Sequence, residues 1–264
     1  MSVLEAIIIA VVEGLTEFLP ISSTGHMIIT EKLLGVESND FTKLFTVGIQ
    51  LGAILAVLVL YWKKFITPVQ TGKWRFYGKL LVAVVPALLL GFIFSDKIDA
   101  LLESTLTVAI TMIAGGVVLL FIDRYFRKES IQTDEEISFP RAFIIGCWQC
   151  IAMIPGVSRS AASIIGGMQQ QLSRKLAAEF SFFLAVPTMA AATGYKLLKG
   201  YHTLSPSDIK LFAIGNLVAF VVAVLAIRFF IGFLQKHGFK LFGYYRILGG
   251  IVLLVLVLTG VIRG

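Results

Sequence analysis

Six stretches of this chain run for about 16 to 19 residues without a single charge: Phe45–Tyr61, Leu80–Ser95, Ser104–Ile122, Phe180–Tyr195, Leu211–Ile227 and Ile247–Ile262. A run of that length is near the lower limit for a helix that crosses the hydrocarbon core of a bilayer. In lipid every backbone polar group must be bonded internally, so only helices and closed barrels span. Barrel strands alternate apolar and polar residues, and these runs are continuous. The chain therefore reads as all-α, a polytopic helical membrane protein. Its residues are 57% hydrophobic and 15% charged, where a soluble domain carries roughly 25% charged. Too few polar residues remain to cover a water-soluble surface, which excludes a soluble globular enzyme and a disordered chain.

Two further apolar segments are interrupted at their centres. Residues 6–34 are broken by Leu19-Pro20-Ile21-Ser22-Ser23-Thr24-Gly25-His26, and residues 142–172 by Ile154-Pro155-Gly156-Val157-Ser158-Arg159-Ser160. Each flanking stretch is about 13–15 residues, roughly 20 Å of helix, too short to span. Broken backbone at membrane depth survives only where protein or a wet cavity surrounds it. Both segments are therefore expected to be re-entrant helical hairpins, beside the six spanning helices. Glu13 and Glu17 interrupt the N-terminal apolar stretch, so it reads as structure rather than as a cleavable signal.

The chain also resembles itself. Ala6, Ile8 and Ile9 match Ala142, Ile144 and Ile145 at a shift of 136, which also places Ser22 on Ser158 and Thr24 on Ser160. The run from Ala114 to Leu120 resembles Leu248 to Leu254 at a shift of 134. Residues 1–264 are thus expected to form a single membrane domain of two repeats, about 1–135 and 136–264. A hairpin returns to its own side and three spans do not, so the topology of the second repeat should be inverted. Net charge is +7, and the basic residues lie in short connections, as anionic lipid and the positive-inside rule require. Nucleic acid is not an expected partner; membrane lipid is. Lys63, Lys64, Lys73, Arg75 and Lys79, then Arg124, Arg127, Lys128 and Arg141, then Arg228, Lys236, Lys240 and Arg246 mark three connections as cytoplasmic. The connection 96–103, with one Lys and three acids, should face outside. Both termini and the first hairpin then lie outside, so a cytoplasm-only reporter fused at the C-terminus is expected to be inactive.

Inverted repeats with broken helices place a site where the breaks meet near the midplane. Glu13 and Glu17 are four apart and share a helix face. Ser22, Ser23, Thr24 and His26 follow in the first turn, and Gly156, Ser158, Arg159 and Ser160 lie in the second. Charged groups at this depth cost at least ~2.5–3.5 kcal/mol and mark function. A plain structural reading is an ion pair of Arg159 with a Glu, locking the hairpins together. Chemically the set fits a phosphate. Turn hydroxyls, helix-terminal N–H groups and one Arg make an anion cradle. Two carboxylates can hold a divalent cation. His26 can act as general base, and Ser23 or Thr24 as nucleophile or binder. Residue chemistry reaches only a membrane-embedded site for a phosphorylated lipid.

The run Glu13-Gly14-Leu15-Thr16-Glu17-Phe18-Leu19-Pro20-Ile21-Ser22-Ser23-Thr24-Gly25-His26 and the run Pro155-Gly156-Val157-Ser158-Arg159-Ser160 closely resemble the two signature segments of the bacterial undecaprenyl-diphosphatase family, also called the bacitracin-resistance family. Glu179-Phe180-Ser181-Phe182 with Ala185-Val186-Pro187 is similar to a third. The resemblance implies a multi-pass enzyme of the bacterial inner membrane, opening to the periplasm. It would remove the terminal phosphate of the C55 polyprenyl diphosphate and return the carrier lipid to peptidoglycan synthesis. Bacitracin sequesters that substrate, so more enzyme implies resistance. It further implies Glu17, Ser23, His26 and Arg159 as catalytic core. Ser22, Thr24, Gly156, Ser158 and Ser160 would bind substrate, and Glu13 with Glu17 would hold a divalent cation, Mg²⁺ or Ca²⁺. Either Ser23 or His26 could be the nucleophile. A homodimer is left open. The rival reading is a transporter or flippase for polyprenyl phosphate built on the same inverted repeat. A different lipid-phosphatase superfamily needs a His where Ile165 stands, which rejects it.

The remaining polar residues have plainer readings. Gln50, Gln149 and Asn216 are expected to hydrogen-bond between helices. Cys147 and Cys150, spaced Cys-x-x-Cys in an apolar run, are expected to be small buried residues rather than a metal or redox pair.

Overall fold

The computed structural model describes residues 1–37, 39–71, 74–94, 97–98, 101 and 104–262. Ser95, Lys73 and the acids Asp96, Asp99 and Glu103 lie outside the described residues. The helices are α1 (Val3–Thr16), α2 (Ser23–Leu34), α3 (Asp40–Gly48), α4 (Gln50–Leu60), α5 (Trp62–Thr71), α6 (Arg75–Ile93), α7 (Thr105–Tyr125), α8 (Phe139–Cys150), α9 (Arg159–Gln169), α10 (Arg174–Gly200), α11 (Pro206–His237) and α12 (Lys240–Leu258). Among the described residues six helices are long and apolar enough to cross a membrane, α3 with α4 counting as one broken span.

Each of the six uncharged runs falls mainly within helix among the described residues, and several of the helices outlast their runs. Leu211–Ile227 lies inside the 32-residue α11, which continues past Arg228 to His237. Charge ended the run in the sequence, but a helix continues through Lys and Arg whose stems lie on apolar neighbours. What ends α11 is Gly238, at φ 65, a conformation that suits glycine. Ser2 and Glu5 form a capping box that starts α1. Ser138 caps α8, with a proline in its first turn.

The interrupted segments are helix–turn–helix units. Helices α1 and α2 join across residues 17–22, and α8 and α9 join across residues 151–158. Each helix is 11 to 14 residues long, at most ~21 Å. Between them α10 presents a buried stretch from Phe180 to Ala185. The packing is reciprocal. Helix α1 packs on α11 and α8 on α6; α4 packs on α11 and α10 on α6; α7 packs on α12 and α4 on α10. Exchanging α1 with α8, α4 with α10, α6 with α11 and α7 with α12 maps these contacts onto themselves.

Small residues permit these approaches. A Cβ on Gly14 would stand 2.8 Å from the Ala219 carbonyl, and one on Gly146 would stand 2.1 Å from that of Ala83. Asn216 Oδ1 accepts the Gly52 N–H at 2.7 Å across the helices, and Gln149 donates to Thr188 Oγ1 at 3.1 Å. Gln50 Oε1 accepts from Thr193 Oγ1 at 3.5 Å. These amides bond between helices as expected. Two expectations need correction. Cys147 is exposed and Cys150 half-buried, because this face of α8 turns outward. Arg246 and Lys79, grouped with the basic residues of connections, lie inside α12 and α6 and are buried.

Candidate active site

The two turns share one backbone device. Ser22 has φ 70 and ψ 93 and stands before α2; Ser158 has φ 73 and ψ 115 and stands before α9. Positive φ is costly for a residue with a Cβ, about 1–2 kcal/mol. Here it turns the chain sharply enough that each helix starts at the point where the turns meet. Ser158 caps its own helix, its Oγ accepting the Ala161 N–H at 3.3 Å. Ser22 makes no such side-chain cap. Its Oγ is buried without a partner. The first N–H groups of α2 therefore keep their capacity for an anion, where the helix dipole also favours negative charge.

A chain of polar contacts crosses from one turn to the other. Ser23 Oγ donates to Glu17 Oε2 at 2.8 Å. Glu17 Oε1 accepts from Arg159 Nη2 at 3.4 Å. Arg159 Nη1 donates to the Ser181 carbonyl at 3.0 Å, and its guanidinium lies 5.8 Å from the Phe18 ring centroid. Ser181 also meets Ser163, Oγ to Oγ at 2.7 Å. The third signature segment thus fixes the guanidinium from behind. Arg159 Nε is buried and unpartnered, which leaves a donor for a ligand.

His26 is held at both ring nitrogens. Nδ1 lies 2.7 Å from the Ser22 carbonyl and Nε2 lies 2.9 Å from Tyr245 Oη. A carbonyl only accepts, so Nδ1 carries the proton. In the neutral ring Nε2 then accepts from the Tyr245 hydroxyl, an assignment made from the network. The two rings stack at 5.5 Å with 3° between planes.

Several other candidate residues bond within the protein or pack closely against it. Ser160, expected to bind substrate, is fully buried and donates to the Leu19 carbonyl at 2.8 Å, tying one turn to the other. Ser158 Oγ lies 3.0 Å from Ser160 Oγ. Gly156, also expected on the substrate, has φ 84; a Cβ there would stand 2.2 Å from Thr111 Oγ1. Its carbonyl accepts from Arg246. Thr24 is the second residue of α2 and half-buried.

Arg246 and Tyr245 were not among the candidates. Arg246 donates to five carbonyls: Pro20 at 3.2 Å, Val157 at 2.9 Å, Gly156 at 2.8 Å, Thr111 at 3.2 Å and Met112 at 3.3 Å. Five N–H donors in a rigid fork match this ring of acceptors, which an ammonium could not. Both turns are thereby pinned to α7. Arg246 gave no signal of this in the sequence, because it stands at the edge of the uncharged run Ile247–Ile262 and reads there as a flanking charge.

Glu13 lies one turn before Glu17, with Glu17, Gln50 and Arg159 as its electrostatic neighbours. Its Oε1 is buried and unpartnered. The guanidinium meets the Glu17 carboxylate, and Glu13 keeps a free oxygen acceptor beside it. That donor set suits Mg²⁺, which takes one or two carboxylates and completes its shell with water and substrate phosphate. Among the described residues no cluster of three or more His, Cys, Asp or Glu forms a cage.

Comparison with known proteins bears on this geometry. The family description "Bacitracin resistance protein BacA" matches residues 6–252. The undecaprenyl-diphosphatase of Flavobacterium psychrophilum is 58% identical over 259 residues, covering 97% of this chain and 96% of that protein. That of Flavobacterium johnsoniae is 55% identical, covering 97% and 96%. That of Porphyromonas gingivalis is 52% identical, covering 99% of each chain.

Proposed function

Since the chain belongs to the family of bacitracin resistance protein BacA, we propose that its two turns form one hydrolytic centre. The chain is a multi-pass membrane phosphatase that converts undecaprenyl diphosphate to undecaprenyl phosphate and inorganic phosphate. The observation that carries the catalytic assignment is the contact sequence Ser23–Glu17–Arg159, a hydroxyl, a carboxylate and a guanidinium drawn from both turns.

Each group then has a role its contacts support. The β-phosphoryl group of the substrate sits between Arg159 and the uncapped start of α2, where the guanidinium and N–H groups oppose its charge. Ser23 Oγ attacks the β-phosphorus while its proton passes to Glu17 Oε2. The bond to the bridging oxygen breaks, and its electron pair leaves with undecaprenyl phosphate. Water then attacks the phosphoserine as His26 Nε2, relayed through Tyr245, takes the water proton. Ser23 regains its proton from Glu17, His26 returns its proton through Tyr245 to the phosphate, and inorganic phosphate departs. Glu13 and Glu17 would hold a divalent cation, Mg²⁺ or Ca²⁺, which would supply Lewis-acid neutralisation of the diphosphate when bound.

The two halves have inverted topology, and both helix–turn–helix units re-enter the bilayer. The reciprocal packing of the helices and the paired positive-φ serines support this. The chain lies in the bacterial inner membrane with the first turn reached from the periplasm. The gathering of basic residues at the ends of α7 and α11 supports that orientation.

Purified protein in detergent is expected to release inorganic phosphate from undecaprenyl diphosphate. Chelation should abolish release and added Mg²⁺ or Ca²⁺ restore it. Ser23→Ala should lower turnover by a factor on the order of 10³. No release by the parent protein contradicts the function; full release by Ser23→Ala removes Ser23 as nucleophile.

A further inference from the structure

A cleft of about 640 Å³ opens where α7 and α11 end and α12 begins. Its charged lining is Asp123, Arg124, Arg127, Arg174, Lys236 and Lys240. The carboxylate among them is already saturated. Asp123 Oδ1 accepts from Arg174 Nε at 2.6 Å, and Oδ2 accepts the Phe239 N–H at 2.8 Å. Arg174 also leans on Glu129 at 3.4 Å. Gly238 lets the α11–α12 link close on this carboxylate, since a Cβ there would stand 2.6 Å from Asp123 Oδ2. The floor of the cleft is thus a fixed frame.

Four cations around the frame remain. Among the described residues no carboxylate stands within ion-pair distance of Arg124, Arg127, Lys236 or Lys240. Lys240 Nζ lies 5.9 Å from the Tyr244 ring centroid, a contact that leaves its charge uncompensated. Like charges gathered on one concavity repel unless an anion joins them. The wall decides which kind of anion. Phe121 lines the cleft and is exposed, and the apolar surface continues along α7 through exposed Val117 and Val118. Tyr244 lines it from α12, followed by exposed Leu248. A charged cleft continuous with a lipid-facing apolar wall fits an amphiphile lying along the bundle.

We infer that this cleft is a binding site for the phosphate headgroup of an anionic membrane phospholipid. Arg124, Arg127, Lys236 and Lys240 surround the phosphate, and the acyl chains lie along α7 and α12. Basic pockets between spans at the cytoplasmic boundary take such headgroups, and guanidinium groups suit phosphate geometry. The same two helices serve the hydrolytic centre. Helix α12 carries Lys240 and Tyr244 in the cleft and Arg246 in the site, and α7 carries Asp123 in the cleft and the Thr111 carbonyl that Arg246 holds. A bound lipid braces this pair.

The test is native mass spectrometry on delipidated full-length protein, titrated with phosphatidylglycerol or phosphatidylcholine. Phosphatidylglycerol should bind about tenfold or more tightly than phosphatidylcholine, and should raise the melting temperature. Arg124→Gln, Arg127→Gln and Lys236→Gln should each weaken it by about fivefold. The combination Lys63→Gln, Arg75→Gln and Arg228→Gln removes three charges elsewhere and should leave the binding unchanged. Equal binding of the two lipids, or equal loss in the control combination, overturns the site. Displacement of phosphatidylglycerol by millimolar inorganic phosphate overturns the lipid assignment in favour of a free anion. Single substitutions at exposed Lys63, Arg75 and Arg228 serve as controls if that combination fails to fold.

Discussion

His26 shows how much of a site is decided by atoms that a motif does not contain. Its position, like those of Glu17, Ser23 and Arg159, was legible because polar residues in a broken apolar segment have few reasons to be there other than chemistry. Its partner Tyr245 was not legible. A tyrosine near the start of a spanning helix reads as an interfacial anchor, and only the fold brings it to Nε2, across 219 positions of sequence. Glu17 tells the same story. Its residue type suited a metal ligand, and only the fold adds that its two oxygens also meet Ser23 and Arg159. Tyr245→Phe keeps the ring stack and removes the hydroxyl. We expect kcat to fall about fivefold, corresponding to ~1 kcal/mol for the lost hydrogen bond, with KM and melting temperature unchanged. An unchanged kcat in steady-state phosphate release would show that the hydroxyl takes no part.

The element that organises the site is the turn. Pro20 and Pro155-Gly156 announced both breaks, since neither residue type continues a helix easily. The positive φ at Ser22 and Ser158 was hidden, because serine is not a residue from which a left-handed backbone is inferred. Helix ends were hidden too: α10 and α11 run past the charges that bounded their apolar runs. Substitutions separate these backbone effects. Gly156→Ala combines a φ of 84 with a Cβ 2.2 Å from Thr111 Oγ1 and 2.6 Å from the Val108 carbonyl. It should destabilise by at least ~1–2 kcal/mol from the backbone alone. Ser158→Gly relieves φ, and glycine replaces a serine cap at a cost of only a few tenths of a kcal/mol. Thermal melting in detergent should therefore place Gly156→Ala well below the parent and Ser158→Gly close to it. Equal melting of all three would mean the turn is not held as described.

At the scale of the molecule, the all-helical membrane class was legible because uncharged runs of spanning length have few alternatives. How the halves meet was not. Arg246 counted in the sequence as one more positive charge in a connection, yet it joins both turns to α7 through five carbonyls. Arg246→Met leaves those acceptors buried and unpaired, at a cost of ~1–3 kcal/mol for each that finds no other donor. It should lower the melting temperature and abolish turnover together. Arg246→Lys, which keeps the charge without the fork, should recover part of the stability. Normal melting in Arg246→Met would deny it the role of tie.

The central claim is that the two turns act as one catalytic unit, and a double-mutant cycle between them tests it most directly. The quantity to measure is kcat/KM for phosphate release from undecaprenyl diphosphate in Glu17→Gln, Arg159→Gln and the double variant. Residues that work as a unit are strongly non-additive. We expect each single substitution to cost about 10²–10³, and the double variant to lie within about threefold of the slower single one. A double variant slowed by the product of the two separate losses would mean that Glu17 and Arg159 act independently, and would contradict the account.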